Sequence, residues 1–125
     1  MNILIDSLAT GDIGELTPEG WIIVDVRDLT DFDKDVEKVK KKIMVVSHLL
    51  SLGEKVCVRC VCGINRSNTI ALSVLCFRCN KNEYLDTDWD RHYLWIKKIV
   101  PKMMIERELE VTAKKALKAL YSKWK

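Results

Sequence analysis

A chain of 125 residues, 48% hydrophobic and 31% charged, has the make-up of one soluble globular domain over residues 1–125, long enough to bury a core. Its 21 basic and 18 acidic residues leave a net charge of +3, a mild bias toward anionic partners that falls short of a nucleic-acid-binding footprint. No apolar run approaches the ~20 residues of a membrane span, and Met1 to Asp6 lacks the basic region and apolar core of a signal peptide. Five cysteines, an odd number clustered in mid-chain, suit a reducing compartment, so no membrane partner and a cytoplasmic location are expected.

Ile3 to Ile5 reads as a short edge strand. Residues 6–20, with Gly11, Gly14, Pro18 and Gly20, read as a loop. The β-branched run from Trp21 to Val26 predicts a strand, with Arg27 to Asp31 as the loop at its carboxyl end. Phe32, Val36, Val39, Ile43, Val46 and Leu50 then mark one stripe of a long amphipathic helix, stopped near Gly53. Lys34, Lys38, Lys41 and Lys42 on its other face read as a solvated surface. Val56 to Val58 predicts a buried strand running to Cys60, and Thr69 to Phe77 a helix with almost no polar face. Asn80 to Thr87 reads as a connection. Trp89, Tyr93, Ile96 and Val100 mark a helix ended by Pro101, and Ile105, Leu109, Ala113, Ala116, Leu120 and Trp124 a last one. The expected fold is α/β: a small, largely parallel central sheet flanked by helices, with strands 21–26 and 56–60 as parallel neighbours. Ligands bind such sheets at the carboxyl ends of strands, where Asp28 and Cys60 would both lie.

The loop between the second of those strands and its helix holds a thiol, a glycine and an arginine. A strand–loop–helix turn aims backbone N–H groups and a helix N-terminus into one concavity, a ready anion site. The same field favours the thiolate form of Cys60. Arg66 adds a planar fork that matches two phosphate oxygens.

Cys60-x5-Arg66-Ser67, with Gly63 inside it, resembles the phosphate loop of the cysteine-dependent protein phosphatases, particularly the compact dual-specificity group. The helical tail, including Trp95 to Pro101, is similar to the closing helices of that group; the resemblance covers about residues 21–124, and the amino-terminal part is shorter than is usual there. It implies Cys60 as the nucleophile of a phosphocysteine intermediate. It implies phosphate binding by Arg66 and the loop Val61, Cys62, Gly63, Ile64 and Asn65, and a Ser67 hydroxyl that eases departure of the thiolate. No metal or cofactor is implied. The family usually has His before the nucleophile, where this chain has Arg59, and that departure bears on activity more than on fold. The implied substrate is a phosphorylated protein, with phosphotyrosine at least as good as phosphoserine or phosphothreonine.

Cleaving a phosphate ester also needs a proton for the leaving oxygen. The family draws it from an Asp about thirty residues before the nucleophile, in the loop ahead of the preceding helix, which points to Asp28. Asp31 and Asp33 compete, and either would serve as a helix cap. Rival readings use the same residues. Gly63-Ile64-Asn65-Arg66 is also similar to the loop of the cysteine-dependent RNA 5′-triphosphatases, and residues 102–125, with seven basic and three acidic side chains, offer a nucleic-acid contact. Trp21 to Asp28 resembles a strand end of rhodanese-type sulfurtransferases, although their Gly-His-Ile and Gly-Gly-aromatic segments are missing. Cys57-x2-Cys60 and Cys76-x2-Cys79 have the spacing of a four-cysteine zinc site, against which the loop and buried helix between them count. A phosphate-binding module impaired in catalysis is the fourth.

Overall fold

The computed structural model describes residues 1–62, 64–80 and 82–124, with side chains to Tyr121. Four strands and four helices follow one another as β1 (Asn2–Ile5), β2 (Leu8–Asp12), β3 (Trp21–Asp25), α1 (Val36–Ser51), β4 (Lys55–Cys60), α2 (Arg66–Cys79), α3 (Asp86–Ile99) and α4 (Arg107–Trp124). The sheet order is β1-β2-β4-β3; β4 runs parallel to both of its neighbours, and only β1 is antiparallel. This is the expected α/β architecture, including the parallel pair β3–β4, in register from Trp21 opposite Lys55 to Asp25 opposite Arg59.

One strand was not expected. β2 falls in the stretch whose glycines read as a loop, yet Leu8 to Gly11 are all buried and β2 lies inside the sheet. A strand covered on both faces loses the alternation that betrays a half-exposed one. Gly11 lets the Glu15 carboxylate lie close against the strand: a Cβ on it would stand 3.0 Å from Glu15 Oε2. β2 and β4 end level, Asp12 opposite Cys60.

The periodic stripe overran the start of α1. The helix begins at Val36, and Phe32 is 58% exposed outside it. Short acidic side chains explain the break, because they offer the backbone bonds that compete with a helix. Asp33 accepts from the Thr30 and Asp35 N–H groups, and Asp35 caps the helix by accepting from Lys38 N. From Val39 to Leu50 the stripe is the buried face, as read. The lysines opposite it are not simply solvated: Lys42 pairs with Asp28 at 3.0 Å and Lys38 approaches Asp33 at 3.6 Å.

α2 contacts β2, β4, α1, α3 and α4, and every residue from Ser67 to Phe77 is buried. Its hydroxyls avoid an unsatisfied burial by bonding back one turn: Thr69 Oγ1 donates to Asn65 O at 2.8 Å and Ser73 Oγ to Thr69 O at 2.7 Å. Tyr121 O–H donates to Cys76 O, fixing α4 on α2. α3 ends at Ile99, two residues before Pro101. No described helix is long and apolar enough to cross a membrane.

Candidate active site

β4 delivers Cys60 to the end of the sheet, and α2 starts six residues later. Cys60 is 2% exposed, and its Sγ lies 3.3 Å from Ser67 Oγ in the first turn of α2. Asn65 precedes the helix without capping it through its side chain. The N–H groups of the first turn therefore take nothing from its side chain. In front of them is a cleft of about 210 Å³, lined by Cys60, Cys62, Ile64, Asn65 and Arg66 from the loop, by Asp31, and by Met104 and Glu106.

Asn65 turns its amide outward to join three segments. Its Nδ2 donates to Asp31 Oδ1 at 3.1 Å and to Asp31 O at 3.3 Å. Its Oδ1 accepts from Glu106 N at 3.0 Å. Met104 N donates to Ile64 O, and Asn68 links Ile64 O to Thr10 on β2. The loop is thus held from the Asp31 side, from the segment before α4 and from the sheet. Met104 and Glu106 escaped the sequence reading because only this long-range hydrogen bonding brings them to the loop. The position of Asn65 beside Arg66 was the nearest signal.

Arg66 lies against the loop after β3. Nη1 donates to Leu29 O at 2.9 Å and Arg27 O at 3.2 Å. Nε is buried and 3.3 Å from Asp31 Oδ1, close enough for an ion pair yet misaligned for a hydrogen bond. A buried guanidinium N–H without an aligned acceptor is a donor that an oxyanion in the cleft would satisfy.

Asp28 and Asp31 are separated by the structure. Asp31 lines the cleft. Asp28 does not; its half-exposed carboxylate is engaged by Lys42 on α1. Val61 is exposed and outside the lining, and Gly63 lies outside the described residues.

Arg59, where the resembling family has His, points away from the cleft because successive side chains of a strand face opposite ways. It is 2% exposed, and donates to Glu15 O at 2.7 Å and Leu16 O at 3.1 Å. Burial pushes the Glu15 carboxyl up, but the amino terminus, the Asp12 N–H and Arg59 together outweigh that and hold it below the usual range. Arg59 therefore ties down the loop that follows β2.

All five cysteines are thiols, and among the described residues no three His, Cys, Asp or Glu side chains are grouped to hold a metal ion. Burial, aided by nearby Asp88, pushes the Cys76 thiol up to about 12, so it stays protonated at neutral pH. His92 Nδ1 donates to Asp88 O at 2.8 Å, and His48 lies exposed on α1.

No protein-family model and no curated protein matches this sequence. Solved structures do. A leucine-rich-repeat and phosphatase-domain protein from Entamoeba histolytica superposes with a TM-score of 0.61 at 13% identity, over 83% of this chain and 75% of that one. PTPMT1 in complex with PI(5)P gives 0.59 at 18% identity, over 82% of this chain and 59% of that one. A second PTPMT1 structure gives 0.57 at 19% identity, over 71% and 53%. The chain spans somewhat over half of PTPMT1. What it shares with these proteins is the fold, which in the described residues of this chain is a mostly parallel four-stranded sheet with four helices.

Proposed function

We propose that this protein is a cysteine-dependent phosphomonoester hydrolase that acts on phosphorylated protein side chains. The observation that carries the reading is the cleft itself: a buried thiol at a strand end, 3.3 Å from a helix-start hydroxyl, under a guanidinium whose buried Nε lacks an aligned acceptor. The Cys60 thiolate attacks phosphorus, forming an S–P bond as the ester P–O bond breaks. Arg66 and the loop N–H groups hold the phosphoryl oxygens. Charge that spreads over those oxygens in the transition state meets donors already in position.

The departing oxygen takes a proton from Asp31, and Asp28 keeps to Lys42. Asp31 and Arg66 face each other at the cleft. Of the two, Asp31 is the carboxyl that lines the cleft, and so the one placed to hand a proton to the leaving oxygen. Water next attacks the phosphocysteine with the Asp31 carboxylate as base. The S–P bond breaks, inorganic phosphate forms, and Ser67 donates a hydrogen bond to the leaving thiolate.

The rim of the cleft supports an aromatic phosphoester. Met104, which lines it, is 66% exposed, an apolar edge that a tyrosine ring would cover. Hydrolysis of a small aryl phosphate without added metal, inhibited by vanadate, is the direct test. Cys60→Ser should lose all turnover while keeping the thermal unfolding of the parent. Full activity in Cys60→Ser would end the proposal, and sulfur transfer from thiosulfate to cyanide in place of phosphate release would select a sulfurtransferase.

A further inference from the structure

The two edges of the sheet are finished differently. β1 is closed off by α3, where Trp95 Nε1 donates to Leu4 O at 2.9 Å. β3, at the other edge, pairs with β4 and with no other strand among the described residues. Val26 N donates to Arg59 O at 2.9 Å, which sets the phase of that ladder. Bonds in a parallel pair come from alternate residues, so Ile22 and Val24 turn their N–H and C=O groups toward β4. Trp21, Ile23 and Asp25 turn theirs outward. Two of the outward groups are engaged at long range: Trp21 N donates to Pro18 O at 3.4 Å, and Asp25 O accepts from Lys42 Nζ at 3.3 Å. Trp21 O, both groups of Ile23 and Asp25 N have no partner among the described residues.

An open edge is usually blunted by charge, by proline or by shortness. This one is a run of Trp, Ile, Ile and Val closed by a single Asp, all but the last strong strand formers. Its flank is apolar as well. α1 faces α2 on one side, where Ser47 O and Ser51 Oγ accept from Arg78, and reaches the β3 edge on the other through Lys42. Val45 and Leu52 follow Lys42 by three and ten residues and so share its side of the helix. They are 48% and 63% exposed.

We infer that β3 pairs with β3 of a second copy of this chain, antiparallel about a two-fold axis at Ile23, joining the two four-stranded sheets into one. The free groups set the register. With Ile23 opposite Ile23 the two residues exchange both of their hydrogen bonds, and Asp25 N of each copy meets Trp21 O of the other. Charge favours the same arrangement, because it puts Asp25 of one copy across from Trp21 of the other on one face of the sheet. Lys55 Nζ lies over that indole, 5.7 Å from the ring centroid, and has no ion-pair partner among the described residues. The edge thus carries a cation at one end and a carboxylate at the other, which is what pairing with itself requires. Glu19 before the strand and Arg27 after it approach their opposites in the same way, whereas parallel pairing would set like charge against like. On the other face, Val45 and Leu52 of the two α1 helices are drawn toward each other. A contact of this kind closes at two copies, since α3 occupies the far edge of the sheet. The loop that carries Asp31 leaves β3 at its carboxyl end, so the two clefts lie at opposite ends of the joined sheet. The pairing therefore does not depend on the phosphatase reading.

Sedimentation of the 125-residue chain over about 1–200 µM should show reversible monomer–dimer exchange with a Kd on the order of 10 µM. Amide hydrogen exchange followed by NMR reads the edge itself: Ile23 and Asp25 should slow by about tenfold from the dilute to the concentrated end, while the amides of β1 keep their rates. Lys55→Glu sets a carboxylate beside Asp25 of the other copy at both ends of the contact, and should weaken the dimer about tenfold. Adding Asp25→Lys reverses both charges and should bring the Kd back to within about twofold of the parent. Ile23→Lys, with its fold checked by circular dichroism, should be a monomer throughout. Lys55→Glu changes only an exposed side chain at the start of β4, so its result stands whether or not Ile23→Lys folds. A monomer at about 200 µM, a dimer whose Kd is unmoved by Lys55→Glu, or exchange at Ile23 that is independent of concentration overturns the pairing. Activity is not read at any step, so failure here leaves the hydrolase reading untouched, and failure of that reading leaves the dimer in place.

Discussion

Asn65→Ala tests whether the site is held together as described. The amide is 8% exposed and makes two well-formed bonds, to Asp31 Oδ1 at 3.1 Å and from Glu106 N at 3.0 Å. The contacts with Asp31 O at 3.3 Å and Thr69 Oγ1 at 3.4 Å add little. At about 1 kcal/mol net for each good bond, the substitution should cost about 2 kcal/mol. Glu106 and Asp31 are partly open to water, so their freed groups regain hydrogen bonds and the cost stays near that value. For a domain of this size it corresponds to a fall in Tm of about 6–10 °C. Chemical unfolding monitored by tryptophan fluorescence reads the stability, and steady-state hydrolysis of an alkyl and an aryl phosphate reads the consequence. Loss of Asp31 positioning should depress kcat for the alkyl ester, whose leaving group needs the proton, more than for the aryl ester. A loss of stability below about 0.5 kcal/mol would refute the view that Asn65 joins the three segments, because it is under the worth of a single net bond.

The other expectations follow from the same geometry. Asp31→Asn should cut kcat for alkyl phosphates by about 10²–10⁴, while Asp28→Asn leaves it close to the parent value; the reverse pattern would return the acid role to Asp28. Asp33 is pushed up by burial, but the Thr30 and Asp35 N–H groups and Lys38 outweigh this and hold its carboxyl below the usual range. A carboxyl lowered by folding adds stability that is complete above its unfolded value near 3.9 and disappears as pH falls through its folded value. Asp33→Asn should therefore be less stable than the parent at pH 7 and lose less on acidification below pH ~4, as measured by urea unfolding across pH. A constant gap between the two proteins from pH 7 to pH 2 would contradict the linkage.

Local pattern carried much of this protein. The β-branched run at Trp21 and the apolar run at Val56 each seek a buried sheet, and the stripe from Val39 to Leu50 suits only a helix with one covered face. A thiol, a glycine and an arginine in one short turn already implied an anion site, since strand–loop–helix geometry directs N–H groups inward whatever surrounds it. The cleft lining includes Cys60, Cys62, Ile64, Asn65 and Arg66 from that turn. Local pattern failed where several elements compete for one residue. β2 is a strand because β1 and β4 complete its hydrogen bonds on both sides, although its own alanine, glycine and aspartate disfavour one. Asp28 and Asp31 stand three positions apart in one loop, and distance along the chain cannot say which way either side chain turns. Lys42 on α1 draws one out, and Arg66 and Asn65 face the other across the cleft. Side-chain direction and cross-chain proximity are properties of packing, and packing exists only once the whole chain has closed.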